Sequence, residues 1–302
     1  MSSETNSIDQ MPKKSPLSFQ VDLKKFEKAT DEEKRQQDVM SESVSFFKDG
    51  MRKLMKNPLA VGSIIVLIAI IAMILIVPHV VPYKYSQIIT VNGSRDKTAG
   101  NMAPFTYSEK ELAYMAEGGE VFPHIMGTDS MGRDYFIRVI YGTRVSLTVG
   151  LFAAVIVLLI GVVYGSVSGY FGGKVDMLMQ RFLEVANGIP RLVIVTLLLL
   201  VLQPGMITII FALMLTEWVG MSRIARAEML KLKDQEFVLA SRTLGAGSFF
   251  IIFKEVLPNI IGPIITQVMF SIPTAIFTEA FLSFVGLGIP VPQCSLGSLI
   301  SE

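Results

Sequence analysis

Residues 145–173 read VSLTVGLFAAVIVLLIGVVYGSVSGYFGG, with no Asp, Glu, Lys or Arg between Arg144 and Lys174. A helix rises about 1.5 Å per residue, so about 20 apolar residues cross the hydrocarbon core of a bilayer. An uncharged run of this length therefore reads as a membrane span. Within it Gly161, Gly165 and Gly169 recur at every fourth position. That spacing lines them along one helix face and makes a smooth ridge against which a second helix packs closely.

Outward from this run the same pattern repeats. Leu192–Thr216 and Val256–Thr278 carry no charge, and Leu59–Val77 is a further apolar stretch preceded by Lys48, Arg52, Lys53 and Lys56. The whole chain is 51% hydrophobic and 18% charged, not far from the roughly 45–50% and about 25% of soluble domains. The distribution of charge, rather than its amount, identifies an all-α polytopic membrane protein. Five transmembrane helices are expected. They are Leu59–Val77, Ser146–Tyr170, a third reaching back from Leu202 through Arg191 and Pro190 towards Val185, Met206–Ser222, and Ile260–Thr278. Gln203-Pro204-Gly205 forms the turn between the third and fourth, because Pro and Gly continue a helix only at a cost.

Lys and Arg counts orient the spans. Arg223, Arg226, Lys231, Lys233, Arg242 and Lys254 crowd between the fourth and fifth, whereas no Lys or Arg follows Glu279. The positive-inside rule then places the amino terminus and 223–255 in the cytoplasm. Residues 1–58 are expected to be a cytoplasmic N-terminal tail, 59–81 the first transmembrane helix, and 82–144 an extracellular loop. Residues 145–302 form the transmembrane core, with the polar segment 228–258 inside.

Several functions are excluded. A net charge of +1 gives no electrostatic basis for nucleic-acid binding. One Cys and two His supply neither a disulfide framework nor a zinc spacing, so no metal is expected. The nearest approach to a phosphate-binding loop, SGYFGGKV at 168–175, lacks the first Gly and the final Ser or Thr. No catalytic residue is expected.

EFVLASRTLG, at 236–245, is half apolar although it lies in the cytoplasmic segment. With helical spacing Phe237, Ala240, Ser241 and Leu244 share a face. Gly245 and Gly247 end this helix, and Ser248 is expected to cap the next. Such a helix suits either a groove on a soluble partner or the lipid interface.

Several blocks carry a resemblance. Leu239-Ala240-Ser241, Gly245 and Leu257-Pro258 resemble the EAA loop of ABC-importer permeases, with Leu239 for the usual Glu, Ser241 for Ala and Glu255 for an apolar residue. GTDSMGRD at 127–134 followed by YGTRVSL at 141–147 is similar to a signature of the oligopeptide/dipeptide/nickel permease family. EAFLSFVGLG at 279–288, GYFGG at 169–173 and WVGMSR at 218–223 also fit. The chain looks most like the second permease subunit of an oligopeptide importer.

The resemblance implies a type I ABC-importer permease fold that forms half of a translocation pore. It implies as partners a sister permease, two cytoplasmic ATPase subunits that hold ATP and Mg, an extracellular substrate-binding protein and the bilayer; this chain would bind no cofactor itself. The ATPase-coupling residues would be Glu236, Ala240, Ser241, Gly245, Leu257 and Pro258. Gly127, Thr128, Asp129, Gly132, Arg133 and Asp134 would form the extracellular motif, as a clasp or a docking site.

Arg191, Glu217 and Glu279 are charges in or near apolar spans, each costing roughly 2.5–3.5 kcal/mol at mid-bilayer. They are expected to face a cavity, a partner or an interface, and so to line the translocation pathway. A proton-coupled carrier using Glu217 and Glu279 would call for two inverted repeats, and no internal repeat is visible; a non-transporting scaffold is a third reading. The resemblance further implies a sixth span beyond Glu302, so the chain is expected to be one helix short.

Overall fold

The computed structural model describes residues 46–302; the predicted tail lies mostly outside them. The chain divides into two units, one ending at Ile65 and one running from Val66 to Glu302. In the first lie α1 (Phe46–Lys56) and the beginning of α2 (Pro58–Val80). Asn57 starts α2: its Oδ1 accepts from the Leu59 amide at 3.1 Å, and Pro58 takes the first helical position, where its missing N–H costs nothing. α2 is apolar all round and mostly exposed, as a helix facing lipid is.

The second unit opens with a polar lobe. It holds a small antiparallel sheet, β1 (Thr90–Val91) and β2 (Ser94–Arg95), and α3 (Glu109–Ala116). A reciprocal cap starts α3, with Ser108 Oγ accepting from the Glu111 amide and Glu111 accepting from the Ser108 amide.

The long helix α4 runs Tyr135–Phe171 and widens to a π-helical turn at Val157–Gly161. It begins ahead of the span read from the sequence, so Tyr135–Arg144 belongs to the helix and not to the loop. The Asp134 side chain caps it by accepting from the Ile137 amide at 3.1 Å. Arg138 does not stop the helix, because it is buried against carboxylates.

α5 (Gly173–Gly188) and α6 (Arg191–Val201) correct the third span. They are bent by 76°. Ile189 precedes Pro190 and is extended, as the steric clash with a following Pro ring requires. α7 (Met206–Thr216) and α8 (Trp218–Leu232) meet at Glu217 and make one apolar stretch. α9 (Glu236–Thr243) follows, then irregular turns over 248–259, then α10 (Ile261–Phe284) and α11 (Leu296–Ser301). Ser248 is not the cap expected of it: Gly247 holds that position, without a side-chain bond. Among the described residues four helices are long and apolar enough to span a bilayer, five if the bent pair is one span.

The glycine ridge of α4 packs on α8. A Cβ at Gly161 would lie 2.7 Å from the Met221 Cβ, one at Gly169 2.7 Å from the Arg226 carbonyl, and one at Gly165 would strike the Ser222 carbonyl. The helices approach to backbone contact because nothing projects between them.

Candidate functional site

Three places gather the residues singled out in the sequence. The first is the hairpin around α9. Val238 is 0% exposed and belongs to the cluster that joins α4, α8 and the start of α10 through Tyr170, Met229, Ile252 and Ile264. The Arg242 guanidinium lies 5.0 Å over the Tyr170 ring, a second tie to α4. The opposite surface is open: Glu236, Phe237, Leu239, Ala240 and Leu244 are exposed, Leu244 by 88%. Ser241 is half-buried.

Gly245 ends α9 with φ +86°, where its amide donates to the Arg242 carbonyl and the Ala246 amide to the Ser241 carbonyl. This paired arrangement needs a left-handed residue, which Gly supplies without strain. Leu257 and Pro258 form a single tight turn leading into α10, with Leu257 packed on the same cluster. Nearby, Arg226 holds Asp176 through two bonds of 2.6 and 2.5 Å, pinning α8 to α5.

The second place is where helices break. Arg191 Nη1 lies 2.8 Å from Glu217 Oε1 without the alignment of a hydrogen bond, and donates to Thr278 Oγ1 at 3.1 Å. Each charge would be costly alone at this position, and each offsets the other. Two cavities meet here. One of about 230 Å³ is polar and reaches Asn187, Glu217 and Gln267; the other, about 650 Å³, is walled by Leu192, Phe277 and Phe281.

Glu279 does not join them, contrary to the sequence expectation. It is 0% exposed and lines neither cavity. Its oxygens accept from Ser146 Oγ of α4 at 3.0 Å and Ser283 Oγ at 2.7 Å. Its position puts it on the α10 face packed against α4 and α11, whereas Thr274 and Thr278 occupy another face.

The third place is the lobe. Thr128, Asp129, Arg133 and Asp134 are all buried. Asp129 accepts from the Met131 and Arg133 amides at 2.9 Å each, from Arg133 Nε at 2.6 Å, and from Arg138 Nη1. Thr128 Oγ1 accepts from the Met102 amide at 2.9 Å. Gly127 at φ +73° and Gly132 at φ +77° make the turns. Burial would push the Asp129 carboxyl up, but the Arg133 and Arg138 hydrogen bonds and charges hold it below its ordinary value.

Sequence reasoning missed three partners here. Arg138 and Glu302 are ion-paired, with Nη2 donating to Oε1 at 2.8 Å. His124, fully buried, donates from Nδ1 to Asp134 at 2.7 Å and from Nε2 to Glu111 at 3.0 Å, with the Tyr83 ring stacked at 4.9 Å. Burial alone would lower the His124 pKa; the two carboxylates outweigh it and raise the pKa to about 9. The cap that pairs Ser108 with Glu111 also holds the Glu111 carboxylate within reach of His124. Among the described residues no group of His, Cys, Asp and Glu could hold a metal ion.

Several long apolar helices, with a hairpin held against them and a charged pair between broken helices, define the class: a multi-pass helical membrane protein. Two family models match, the binding-protein-dependent transport system inner membrane component over 161–302 and the N-terminal TM domain of oligopeptide transport permease C over 45–110. The chain belongs to this family of transport-system inner membrane components. The dipeptide transport system permease protein DppC of Bacillus subtilis is 42% identical over 260 residues, covering 86% of this chain and 74% of that protein. The oligopeptide transport system permease protein OppC of the same organism is 39% identical over 264 residues, covering 87% and 79%. DppC of Lactococcus lactis is 40% identical over 275 residues, covering 86% and 80%. A solved chain of the inward-facing MetNI methionine ABC transporter aligns with a TM-score of 0.48 at 17% identity, covering 54% of this chain and 79% of that one.

Proposed function

We propose that this chain forms one half of the translocation pore of an ATP-driven peptide importer. Relatives named as dipeptide and oligopeptide permeases support peptides as the substrate class. The observation that carries the reading is α9, whose Val238 and Arg242 lock into the helical core while Phe237, Leu239, Ala240 and Leu244 stand free. A helix held on one side and apolar on the other seats in a cleft of a soluble protein and transmits its movement.

That protein is a cytoplasmic ATPase, one of two that hold ATP and Mg. A sister permease supplies the other half of the pore, and an external binding protein delivers the substrate. The chain itself binds no cofactor and catalyses no reaction. Arg223, Arg226, Lys231, Lys233, Arg242 and Lys254 gather towards the α9 end, and this basic cluster supports that end facing the cytoplasm and the lobe facing outside. The 127–134 motif acts as a clasp that closes the lobe onto α4. Arg191 and Glu217 line the pore.

Cells lacking this chain should lose uptake of a labelled peptide and regain it on re-expression. Gly245→Asp places a charge on the docking turn at a left-handed position, and should leave uptake at least tenfold lower while membrane levels stay normal. Full uptake by that variant overturns the docking assignment, and full uptake without the chain overturns the importer.

A further inference from the structure

α6 and α7 are both 11-residue helices, joined by the turn at 202–205. Equal lengths bring Arg191, the first residue of α6, and Glu217, the residue after α7, to the same depth. At 1.5 Å per residue that depth is about 16 Å from the turn, half of a hydrocarbon core of about 30 Å. Both residues stand where a helix is interrupted, Arg191 behind Pro190 and Glu217 at the junction of α7 and α8.

The pair leaves both members incompletely satisfied. Glu217 Oε1 is buried without a hydrogen bond, despite lying 2.8 Å from the guanidinium. Among the described residues Arg191 makes one hydrogen bond, to Thr278, and its side chain is 42% exposed. A guanidinium fork takes a carboxylate through two parallel bonds, so Arg191 has donors to spare. Arg191 and Thr274 line both the polar and the apolar cavity, while Glu217 lines the polar one. A ligand at this point would meet a cation, an anion and an apolar wall within one side chain's reach.

We propose that Arg191 and Glu217 form a subsite for the two charged termini of a free peptide. The guanidinium takes the terminal carboxylate, Glu217 takes the terminal ammonium, and an apolar side chain lies against Phe277 and Phe281. Without peptide the two residues neutralise each other. A zwitterion replaces each partner with an equal charge, so the exchange strands no charge at mid-membrane. A peptide amidated or acetylated at one end brings a single charge and leaves Glu217 or Arg191 unpaired, so it crosses poorly. This rests on the chain being a peptide-importer permease.

The test uses the complete assembly in proteoliposomes, with binding protein saturated by a tripeptide, its C-terminal amide or its N-acetyl form. Affinities of the binding protein for each are measured separately, so that its own selectivity is removed. The unmodified assembly should import the free peptide at least tenfold faster than either blocked form. Arg191→Gln should bring the free-to-amide ratio close to one, and Glu217→Gln should do the same for the free-to-acetyl ratio.

Equal import of free and blocked peptides by the unmodified assembly overturns the subsite without recourse to any variant. So do unchanged ratios in the single variants, which would mark the residues as a structural tie. Absence of ATP-dependent uptake of every peptide would instead overturn the importer reading.

Discussion

His124 lies between Glu111 and Asp134 with no exposed surface, so the protonated ring donates to both buried carboxylates and offsets one of their two charges. Removing one partner of a buried ion pair costs about 3–5 kcal/mol, because the other charge stays behind unpaired. His124→Leu should therefore loosen the lobe by an amount of that order, read as lost hydrogen-exchange protection over 82–134. The pH dependence follows from the direction of the shift. The His124 pKa is raised to about 9 from an unfolded value of about 6.5, so its contribution is complete below the unfolded value and disappears as pH rises through 9. Glu111 and Asp129 are shifted down, so their contributions are present above the ordinary carboxylate range and fall away as pH drops. Lobe protection should peak in mildly acidic solution and decline towards pH 9 and above; a flat profile from pH 6 to 10 would remove His124 from this role. Asp134 was legible in the sequence as a member of GTDSMGRD, though not as the cap of α4. Its bond to His124 was not, since the loop that brings them together follows no period.

At the scale of elements, the glycine ridge was legible because a four-residue repeat on a helix specifies a face. Its partner, α8, was not, because ridge spacing names no neighbour. Gly165→Val would drive a branched side chain into the Ser222 carbonyl and the Ala225 side chain. The two helices should separate, with at least tenfold less protein accumulating in the membrane, measured by blotting of membrane fractions; Gly220→Ala, where a Cβ meets nothing within 4 Å, should have no effect. The bend at Pro190 was missed for a definite reason. The residue before a Pro avoids helical geometry, but a span of about 20 residues appeared to require continuity through it. The pairing of Arg191 with Glu217 depends on that bend and on the equal lengths of α6 and α7. Glu279 was misplaced because the sequence shows a charge among apolar residues but not the serines of α4 and α10 that surround it. For α9, both the apolar face and its glycine stop were legible, whereas Val238 as its anchor required the folded core. Leu244→Asp should leave insertion intact and reduce ATPase coupling about tenfold or more, measured as ATP hydrolysed per peptide imported.

Across the whole molecule the charge distribution predicts which end faces which compartment. Cys294 is buried and burial raises its thiol pKa, so it should react slowly with a membrane-impermeant maleimide. Lys97→Cys in the lobe should label from outside in intact cells, and Leu244→Cys only after the membrane is opened. The reverse pattern would invert the topology. The account stands most directly on reconstituted transport. With sister permease, ATPases and peptide-loaded binding protein, proteoliposomes should accumulate labelled peptide when ATP is supplied to the ATPase side. They should accumulate none when ATP is replaced by a proton gradient. Uptake driven by the gradient without ATP, or by this chain without the ATPases, would contradict the account.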